Sequence, residues 1–517
     1  MKKNNGFTLI ELLAVIIILA IILIIAIPTI GSVIKKSKHN TYEETIEMIE
    51  KTGKLYIAKN PAEAPKNIGD NVEISIKKLL DSNLLDSKPK DARTGELIDT
   101  NCVVVVTKTS KHKYTYQYTC DEVISSSTLI TYTANTYFWD STYRSKITSI
   151  DFIDTINDTG SIISWDLSKD QDNSIKGWLI IDPENSSYYK MYIGSESNIY
   201  APENSSYWFY NLTNLKTVNF DNYNTDNVTN MSYMFTGNSF TTMNLISLDL
   251  SSFDTSNVTN MSHMFGNSYS SIKLTSLDLS SFDTSNVTDM SYMFAGVDSL
   301  TSLDLSNFDT SNVLNMGYMF TGSSSATNSL TSLNLSSFDT SKVTSMSHMF
   351  YYDVNLTSLD LSNFDTSNVT NMEAMFAETH HITSLDLNNF NTSKVWNMKS
   401  MFTGMVSLTS LNLNNFNTSN VIDMSYMFYS VSSLTSLNLN SFNTSKVTDM
   451  SWMFAGMSHM TSLALDSFKT TEVDHMDDMF YLSYSLTAIY VSSNWTTAGA
   501  TTSSMFYNCG VSSVTLR

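Results

Sequence analysis

The sequence contains few cysteines and none of the motifs on which most catalytic sites depend. Only 3 Cys occur among 517 residues; Cys102 and Cys120 flank a strand-like stretch, whereas Cys509 has no obvious partner. There is no glycine-rich phosphate loop, nucleophile elbow or paired catalytic constellation, and the histidines lack metal-ligand spacing with Cys or carboxylates. These absences predict a protein that is not an enzyme and that uses no metal or cofactor.

Basic residues are scarce beyond the first quarter of the chain. The net charge of the whole chain is -20. Residues 1–122 hold 17 Lys or Arg and 15 Asp or Glu, a net charge of +2. Residues 123–517 hold 13 and 35, a net charge of -22. Because affinity for nucleic acid depends largely on neutralising phosphates with Lys and Arg, the acidic part of the chain is not expected to bind nucleic acid.

The one long apolar segment lies at the N-terminus. A charged leader, residues 1–6, precedes Phe7 and Glu11, and an uncharged run over residues 12–30 follows. That run is about 19 residues, or roughly 28 Å of helix, close to the thickness of the hydrocarbon core of a bilayer. It therefore predicts a transmembrane helix. Since lysines flank the segment on both sides, charge counting alone does not fix its orientation.

This N-terminus resembles those of type IV prepilins and pseudopilins. The resemblance implies that prepilin peptidase cuts between Gly6 and Phe7 and that Phe7 becomes N-methylated. It also implies that Glu11, which is costly in lipid unless paired, pairs with the amine of Phe7 on a neighbouring subunit during assembly. The alternative is a plain uncleaved membrane anchor in which Glu11 is accidental.

The segment after the anchor has the pattern of a small head domain. Apolar and small residues at helical spacing mark one face of a helix, namely Tyr42, Ile46, Ile49, Gly53 and Tyr56. We therefore expect an N-terminal helix over residues 7–59 and a short helix and turn over residues 76–85. Residues 103–106 and 114–118 predict paired strands. A disulfide between Cys102 and Cys120 would close this hairpin; two buried free thiols are the alternative.

Internal repetition dominates the rest of the chain. A Met-Phe pair closes each unit, with its Phe at positions 235, 265, 294, 320, 350, 376, 402, 428, 454, 480 and 506. These are eleven copies with a 26-residue period that is stretched to 29 or 30 three times, which is typical of a solenoid. Leu-x-x-Leu-x-Leu predicts a strand in each unit, and a stripe such as Val313, Met316, Met319 and Phe320 predicts a helical return. The expected class is α/β, with a long pilin-type helix and a small antiparallel head before a leucine-rich-repeat solenoid of about eleven units.

The units resemble the BspA-like leucine-rich repeats (DUF285) of bacterial surface proteins, which share a Phe-Asp-Thr-Ser-x-Val-Thr-x-Met-x-x-Met-Phe signature. The two resemblances together imply five segments. They are the leader 1–6, the transmembrane and assembly helix 7–59, the head 60–122, a linker and capping segment 123–210, and the repeats 211–517.

The position between the two methionines of each unit lies off the predicted buried stripe. Seven units carry an aromatic residue or His there: Tyr233, His263, Tyr292, Tyr318, His348, Tyr426 and Trp452. We expect these side chains to form an exposed column that binds an extracellular protein or a glycan. The alternative is that the rings pack on adjacent turns and only stiffen the repeats.

Two further features leave alternatives open. The extra residues of the long units, around 238–244, 267–273 and 323–329, form either a binding edge or tolerated loops. A ladder of carboxylates either binds calcium or satisfies backbone donors at turns, which is the commoner role. Its members are Asp254, Asp283, Asp309, Asp339 and Asp365, and it continues as Asn.

Together these patterns predict a type IV pilin-like subunit, minor or at a filament tip, whose repeats serve adhesion. The expected partners are prepilin peptidase, other pilin subunits, the membrane through the N-terminal helix, and an extracellular protein or glycan. The expected location is the bacterial cell membrane, crossed once with the C-terminal part outside, and the pilus. The alternatives are a pseudopilin of a secretion or DNA-uptake system, and a stand-alone membrane-anchored repeat protein.

Overall fold

The structure is a computed structural model in which the chain forms two compact units, Met1–Ser125 and Ser126–Arg517. It describes residues 41, 44–85, 87, 89–90, 98, 102–111, 113–119, 127–134, 136–238, 241–267, 271–323 and 329–517. Each unit has a hydrophobic core of its own.

The N-terminal unit is a helix packed on a three-stranded antiparallel sheet. Its elements are α1 over residues 44–59, the 3-10 helix Pro61–Glu63, β1 Asn71–Ser75, α2 Ile76–Asp81, β2 Val103–Ser110 and β3 Lys113–Thr119, with strand order β1-β2-β3. Ile49 and Tyr56 of α1 share a buried core with Val104 of β2. Gly53 allows this close approach, because a Cβ there would lie 2.7 Å from Cγ1 of Val104. The pairing of β2 with β3 agrees with the hairpin predicted from the sequence.

The C-terminal unit begins with a mixed five-stranded sheet. Its elements are β4 Ser127–Thr128, the 3-10 helix Tyr137–Trp139, α3 Ser141–Arg144, β5 Ile147–Ile153, β6 Ile163–Asp166, β7 Lys176–Asp182, β8 Asn185–Gly194, β9 Ile199–Tyr200, β10 Thr217–Asn219 and β11 Tyr223–Asn224. The strand order of the large sheet is β10-β5-β8-β7-β6, and β4, β9 and β11 form a small parallel sheet. Because β10 belongs to the first repeat and pairs in parallel with β5, this sheet continues directly into the repeats.

Successive repeats are joined by parallel backbone hydrogen bonds at the Met-x-x-Met-Phe turn. A ladder of single parallel bridges links each unit to the next, from Asn204 and Asn230 at one end to His475 and Thr501 at the other. Around each bridge, alternate N–H groups donate to the following unit. The N–H of Tyr292, for example, donates to the carbonyl of Gly317 over 3.0 Å. Each unit therefore depends on its neighbours for its backbone hydrogen bonds.

The Leu-x-x-Leu-x-Leu side of the repeats has only short strands. They are β12 Thr242–Met243, β13 Ser271–Ile272, β14 Ser384–Leu385, β15 Ser410–Leu411, β16 Ser462–Leu465, β17 Ala488–Val491 and β18 Thr515–Leu516. Each pairs in parallel with its equivalent in an adjacent unit. The leucines still point inward, so that the hydrophobic core is continuous from the first sheet through the repeats.

A column of phenylalanine rings runs through this core, from Phe209 to Phe506. We call it the Phe column; it comprises Phe209 and the eleven Phe that close the units. Neighbouring rings lie face to face, with centroid separations of 5.0–6.0 Å and interplanar angles of 4–16°. Burial of a Phe side chain stabilises a fold by about 1.5–3 kcal/mol. The column is therefore a principal source of the stability of the repeats.

A column of buried threonines ties the units together beside the Phe column. The hydroxyl of Thr310 donates to the carbonyl of Asp339 over 2.8 Å and accepts from the N–H of Asp339 over 2.8 Å. Thr340 makes the same pair of bonds with Asp365. The hydroxyl thus takes the place of a backbone group, which explains why a Thr follows the Asp or Asn of nearly every unit.

The predicted α/β class and the leucine-rich-repeat solenoid of alternating strands and helices are wrong. The described residues are mainly short strands and turns, with only short helices. The stripe of Val313, Met316, Met319 and Phe320 is buried, but it is built of turns and Tyr318 within it has a φ of 60°. Spacings of three and four residues fit tight turns as well as a helix, and that ambiguity produced the wrong class.

The described residues also show no long N-terminal helix. Of the helix predicted for residues 7–59, only residue 41 and residues 44–59 are described, and they are helical. The predicted membrane-spanning segment lies outside the described residues. Within the described part of the chain, no helix is long and apolar enough to cross a bilayer.

Candidate binding surface

The residues predicted to direct processing and assembly, Gly6, Phe7 and Glu11, lie outside the described residues, and their roles stay predictions. Cys102 is fully buried and disulfide-bonded. Cys120, its predicted partner, lies outside the described residues, so that pairing stays a prediction. Cys509 is a free, half-buried thiol, and burial raises its pKa.

The seven predicted ligand-binding residues occupy the same backbone position in their turns. All have a φ between 56° and 60°, namely Tyr233, His263, Tyr292, Tyr318, His348, Tyr426 and Trp452. This left-handed conformation is uncommon for bulky residues. Hydrogen bonds between units hold this conformation in place, since the backbone N–H of each of the seven residues donates to a carbonyl of the following unit, as that of Tyr292 does.

The first five of these rings stack face to face in one continuous series that begins at Tyr207. The centroids of Tyr207 and Tyr233 are 4.7 Å apart with an interplanar angle of 6°. From Tyr233 to His348 the separations are 4.1–4.3 Å and the angles 6–12°. The side chains are half-buried rather than exposed. Because each ring face is covered by the next ring, only the ring edges are left for a ligand.

Burial keeps this series of rings uncharged. It raises the pKa of Tyr233 to about 12 and lowers the pKa of His263 and of His348 to about 4. The Nδ1 atoms of both histidines are buried without a hydrogen-bond partner. The stacked rings therefore present a neutral, largely apolar strip within an acidic part of the chain.

The series is interrupted at two units, in which Ala374 and Ser400 replace the ring. It resumes with Tyr426 and Trp452, whose parallel rings are 5.8 Å apart. We call the two groups together the Tyr/His column; it comprises Tyr207 and the seven predicted residues. Its members are brought together as two separate stacks and not as one uninterrupted surface.

The carboxylates of the predicted ladder accept hydrogen bonds from backbone N–H groups in the turns. Oδ1 of Asp254 accepts the N–H of Ser256 over 2.9 Å, and Oδ1 of Asp309 accepts the N–H of Ser311 over 3.0 Å. These bonds favour the alternative in which the carboxylates satisfy backbone donors. The part of the chain that the structure describes contains no group of three His, Cys, Asp or Glu that could hold a metal ion.

An open groove of about 570 Å³ lies on the Leu-x-x-Leu-x-Leu side of three consecutive units, away from the turns that carry the Tyr/His column. We call it the amide groove. Its wall is formed mainly by side-chain amides and hydroxyls, with the edges of Leu411 and Leu437 between them. The polar lining residues include Asp386, Asn388, Ser410, Asn412, Asn414, Ser436, Asn438 and Asn440. Sequence reasoning missed this groove. The available signal was a local change of residue type, since all three units carry Asn where most earlier units carry Ser, and two of them also carry Asn where most earlier units carry Asp.

Two family models match the chain. The family described as "Mycoplasma protein of unknown function, DUF285" matches residues 238–337, 325–435 and 404–515, which together span more than half of the chain. The "Prokaryotic N-terminal methylation motif" matches residues 1–27. No curated protein and no solved structure matches the chain.

The methylation motif implies processing by prepilin peptidase and assembly with other pilins. With the repeats, it indicates a membrane-associated, pilin-like protein that is exposed at the surface. Both family resemblances expected from the sequence are thereby confirmed. The chain belongs to the DUF285 family and begins with a prepilin-type N-terminal methylation motif.

Proposed function

We propose that the protein is a minor or tip subunit of a type IV pilus-like filament and that its repeats mediate adhesion. The observation that carries this proposal is the presence, in one chain, of a methylation motif at residues 1–27 and DUF285 repeats over residues 238–515. The motif supplies a route into a filament, and the repeats supply a large surface that such a filament would display.

The size of the C-terminal unit supports a minor position. Ser126–Arg517 is one compact unit and makes up about three quarters of the chain. A body of this size on every subunit would crowd a helical filament, whereas at a tip or at occasional positions it has room. In this proposal the chain crosses the membrane once, through residues 12–30, before assembly, and it performs no catalysis.

The acidic balance of residues 123–517, with 13 Lys or Arg against 35 Asp or Glu, supports a protein or glycan target in preference to nucleic acid. A polyanion would have to approach a surface of its own sign, and the counterion release that drives nucleic-acid binding needs basic side chains.

The first experiment is mass spectrometry of the mature N-terminus of protein sheared from intact cells. The proposal expects a chain that begins at Phe7 with an N-methyl group. A chain that still begins at Met1, or that is cut beyond Ala26, would exclude filament assembly by this route.

A charge reversal, Glu11→Lys, provides the second measurement. The variant is expected to insert into the membrane at the normal level and to be absent from the sheared filament fraction, because the predicted pairing with the amine of Phe7 is lost. A matched reversal elsewhere in the N-terminal unit, Glu47→Lys, which breaks only an exposed ion pair with Lys51, should leave assembly unchanged. Equal recovery of Glu11→Lys and wild type in the filament fraction would contradict the proposal.

A further inference from the structure

The three units that form the amide groove have Asn where most earlier units have Ser, and two of them also have Asn where most earlier units have Asp. Asn412 and Asn438 stand where Asp249, Asp278, Asp304 and Asp360 stand in other units, and Asn388, Asn414 and Asn440 stand where those units have Ser251, Ser280, Ser306 and Ser362. An Asp and Ser pair is therefore replaced by a pair of Asn in the two consecutive units of Asn412 and Asn438. The unit of Asn388 keeps Asp386, and the earlier unit of Ser336 has Asn334 at the first position. The earlier units show that the turn itself does not require this change, since Oδ1 of Asp304 holds the N–H of Ser306 over 3.0 Å, as Oδ1 of Asn412 holds that of Asn414 over 3.1 Å.

The amides of the groove are ordered by bonds between units. Nδ2 of Asn412 donates to Oδ1 of Asn388 over 3.0 Å, and Nδ2 of Asn438 donates to Oδ1 of Asn414 over 2.8 Å. These two bonds fix which way the amides of Asn388 and Asn414 point, so that their NH₂ groups are left to make other bonds. An Asp in place of Asn412 has no N–H to donate and would remove this order.

The groove offers donors and acceptors but almost no charge. Its only ionisable side chain is that of Asp386, at one end. The hydroxyls of Ser410 and Ser436 add further donors and acceptors, and the partly buried Leu411 and Leu437 supply apolar edges between the polar groups. Hydroxyl groups with C–H faces between them match such a wall, whereas an anionic ligand gains no cation there.

The polar side chains that line the groove recur at equivalent positions of adjacent units. Equivalent side chains of adjacent units are separated by one strand spacing, about 4.8 Å, so Asn388, Asn414 and Asn440 are spread over roughly 10 Å. A volume of about 570 Å³ lies within the range of small-ligand sites, roughly 300–1,000 Å³. A linear polymer that presents the same polar groups at each step would contact the same set of side chains in each unit.

From these observations we propose that the amide groove binds a neutral polysaccharide, with two or three sugar rings lying along Asn388, Asn414 and Asn440. The NH₂ groups of these side chains donate to sugar hydroxyls, the serine hydroxyls bond to either group, and the leucine edges pack against the C–H face of a ring. The proposal rests on the proposed adhesion and names the chemistry of the ligand.

The test uses the full-length protein in detergent and isothermal titration calorimetry. The neutral probes are tri-N-acetylchitotriose and maltotriose, and the anionic probe is trigalacturonate. We expect at least one neutral trisaccharide to bind with a Kd of millimolar or tighter, and trigalacturonate to bind at least ten-fold more weakly. Absence of binding by both neutral probes, or equal binding of trigalacturonate, would overturn the proposal.

The decisive variant is Asn412→Asp with Asn414→Ser, which rebuilds in the groove the pair found at Asp304 and Ser306. Because that pair already occurs in folded units, the variant is expected to keep its thermal transition and to lose at least ten-fold in affinity. The matched control is Asp304→Asn with Ser306→Asn, which makes the opposite change outside the groove and should bind as the wild type does. Unchanged affinity of the first variant would also overturn the proposal.

Failure of the groove and failure of the proposed function give different results. If cells that carry the groove variant adhere as well as wild type while the chain is still processed at Phe7, the groove is not the adhesive site and the proposed function stands. If the purified protein binds a neutral trisaccharide but deletion of the repeats leaves adhesion unchanged, saccharide binding by the groove is supported and the proposed adhesive role of the repeats is contradicted.

Discussion

Two columns of rings run side by side through the repeats, and they differ in burial and in continuity. The Phe column is almost wholly buried and has a ring in every unit, at separations of 5.0–6.0 Å. The Tyr/His column is half-buried and has closer separations of 4.1–4.3 Å in its longest part. It is missing from four units, in which Ala374, Ser400, Asp478 and Ser504 occupy the position. The Phe that closes each unit cannot be replaced by a smaller residue without leaving a cavity in the core. The residue between the two methionines lies at the edge of the core and can change without a cavity, so it varies from unit to unit.

The largest expected effect comes from breaking the Phe column. Phe350 is fully buried and stacks on Phe320 and Phe376 at 5.8 and 5.9 Å. We expect Phe350→Ala to lower the free energy of unfolding by about 3–5 kcal/mol, measured by chemical denaturation. Phe350→Leu, which keeps most of the volume, should cost clearly less. Equal effects of the two variants would mean that the ring does not fill a rigid core.

The next effect concerns the histidines of the Tyr/His column and depends on pH. Burial holds the pKa of His263 and of His348 at about 4, below the usual 6.5. The unfolded chain therefore binds more protons than the folded chain between these values, and the contribution of neutral His to stability, complete above pH 6.5, is lost as the pH falls toward 4. We expect the Tm to fall between pH 7 and pH 5.

The matched variant for this prediction is the double substitution His263→Tyr and His348→Tyr, since Tyr fills the same turn in other units. It should reduce the fall in Tm between pH 7 and pH 5. The carboxylates whose pKa is lowered by turn hydrogen bonds, such as Asp283 and Asp339, titrate below this window and do not mask it. An unchanged pH profile would show that the two imidazoles are not the groups that matter.

The smallest expected effect comes from comparing a unit of the Tyr/His column whose ring is stacked with a unit that has no ring. Tyr292 and Ser400 share the left-handed backbone, with φ of 58° and 55°, so glycine removes the same strain at both. Ser400→Gly loses no ring contact and should raise the stability by about 0.5–1 kcal/mol. Tyr292→Gly also loses two stacked neighbours and should lower it by about 1 kcal/mol. Equal changes of the same sign, measured by chemical denaturation, would contradict a stabilising role for the stack.

Much of the local structure could be predicted from the sequence alone. The repeat period, the buried positions of each unit and the hairpin over residues 103–118 follow from apolar spacing, and they appear in the structure. The helical return was predicted wrongly, because the spacing of Val313, Met316 and Met319 does not distinguish a helix from tight turns. The left-handed conformation at Tyr318 has no signal in the sequence, since glycine does not mark that position in the other units.

The candidate sites were less predictable for a related reason. The sequence showed that the rings at Tyr233 and His263 recur, but their face-to-face contact depends on residues thirty positions apart that only the stacking of units brings within 4.1 Å. The groove is a still clearer case. A change from Asp to Asn at position 412 has no meaning until Asn388, from the preceding unit, lies within 3.0 Å of it.

The sequence by itself determined the membership of the chain in the DUF285 family, its prepilin-type N-terminus, its acidic C-terminal part and the set of side chains that would be buried. These properties depend on residue type and on spacing along the chain. Only the tertiary structure decided that each unit is made of turns, that aromatic rings cover one another's faces, and that amides of three units line one groove. Those features depend on the register between neighbouring units, which parallel backbone bonds and buried threonine hydroxyls set across the stack.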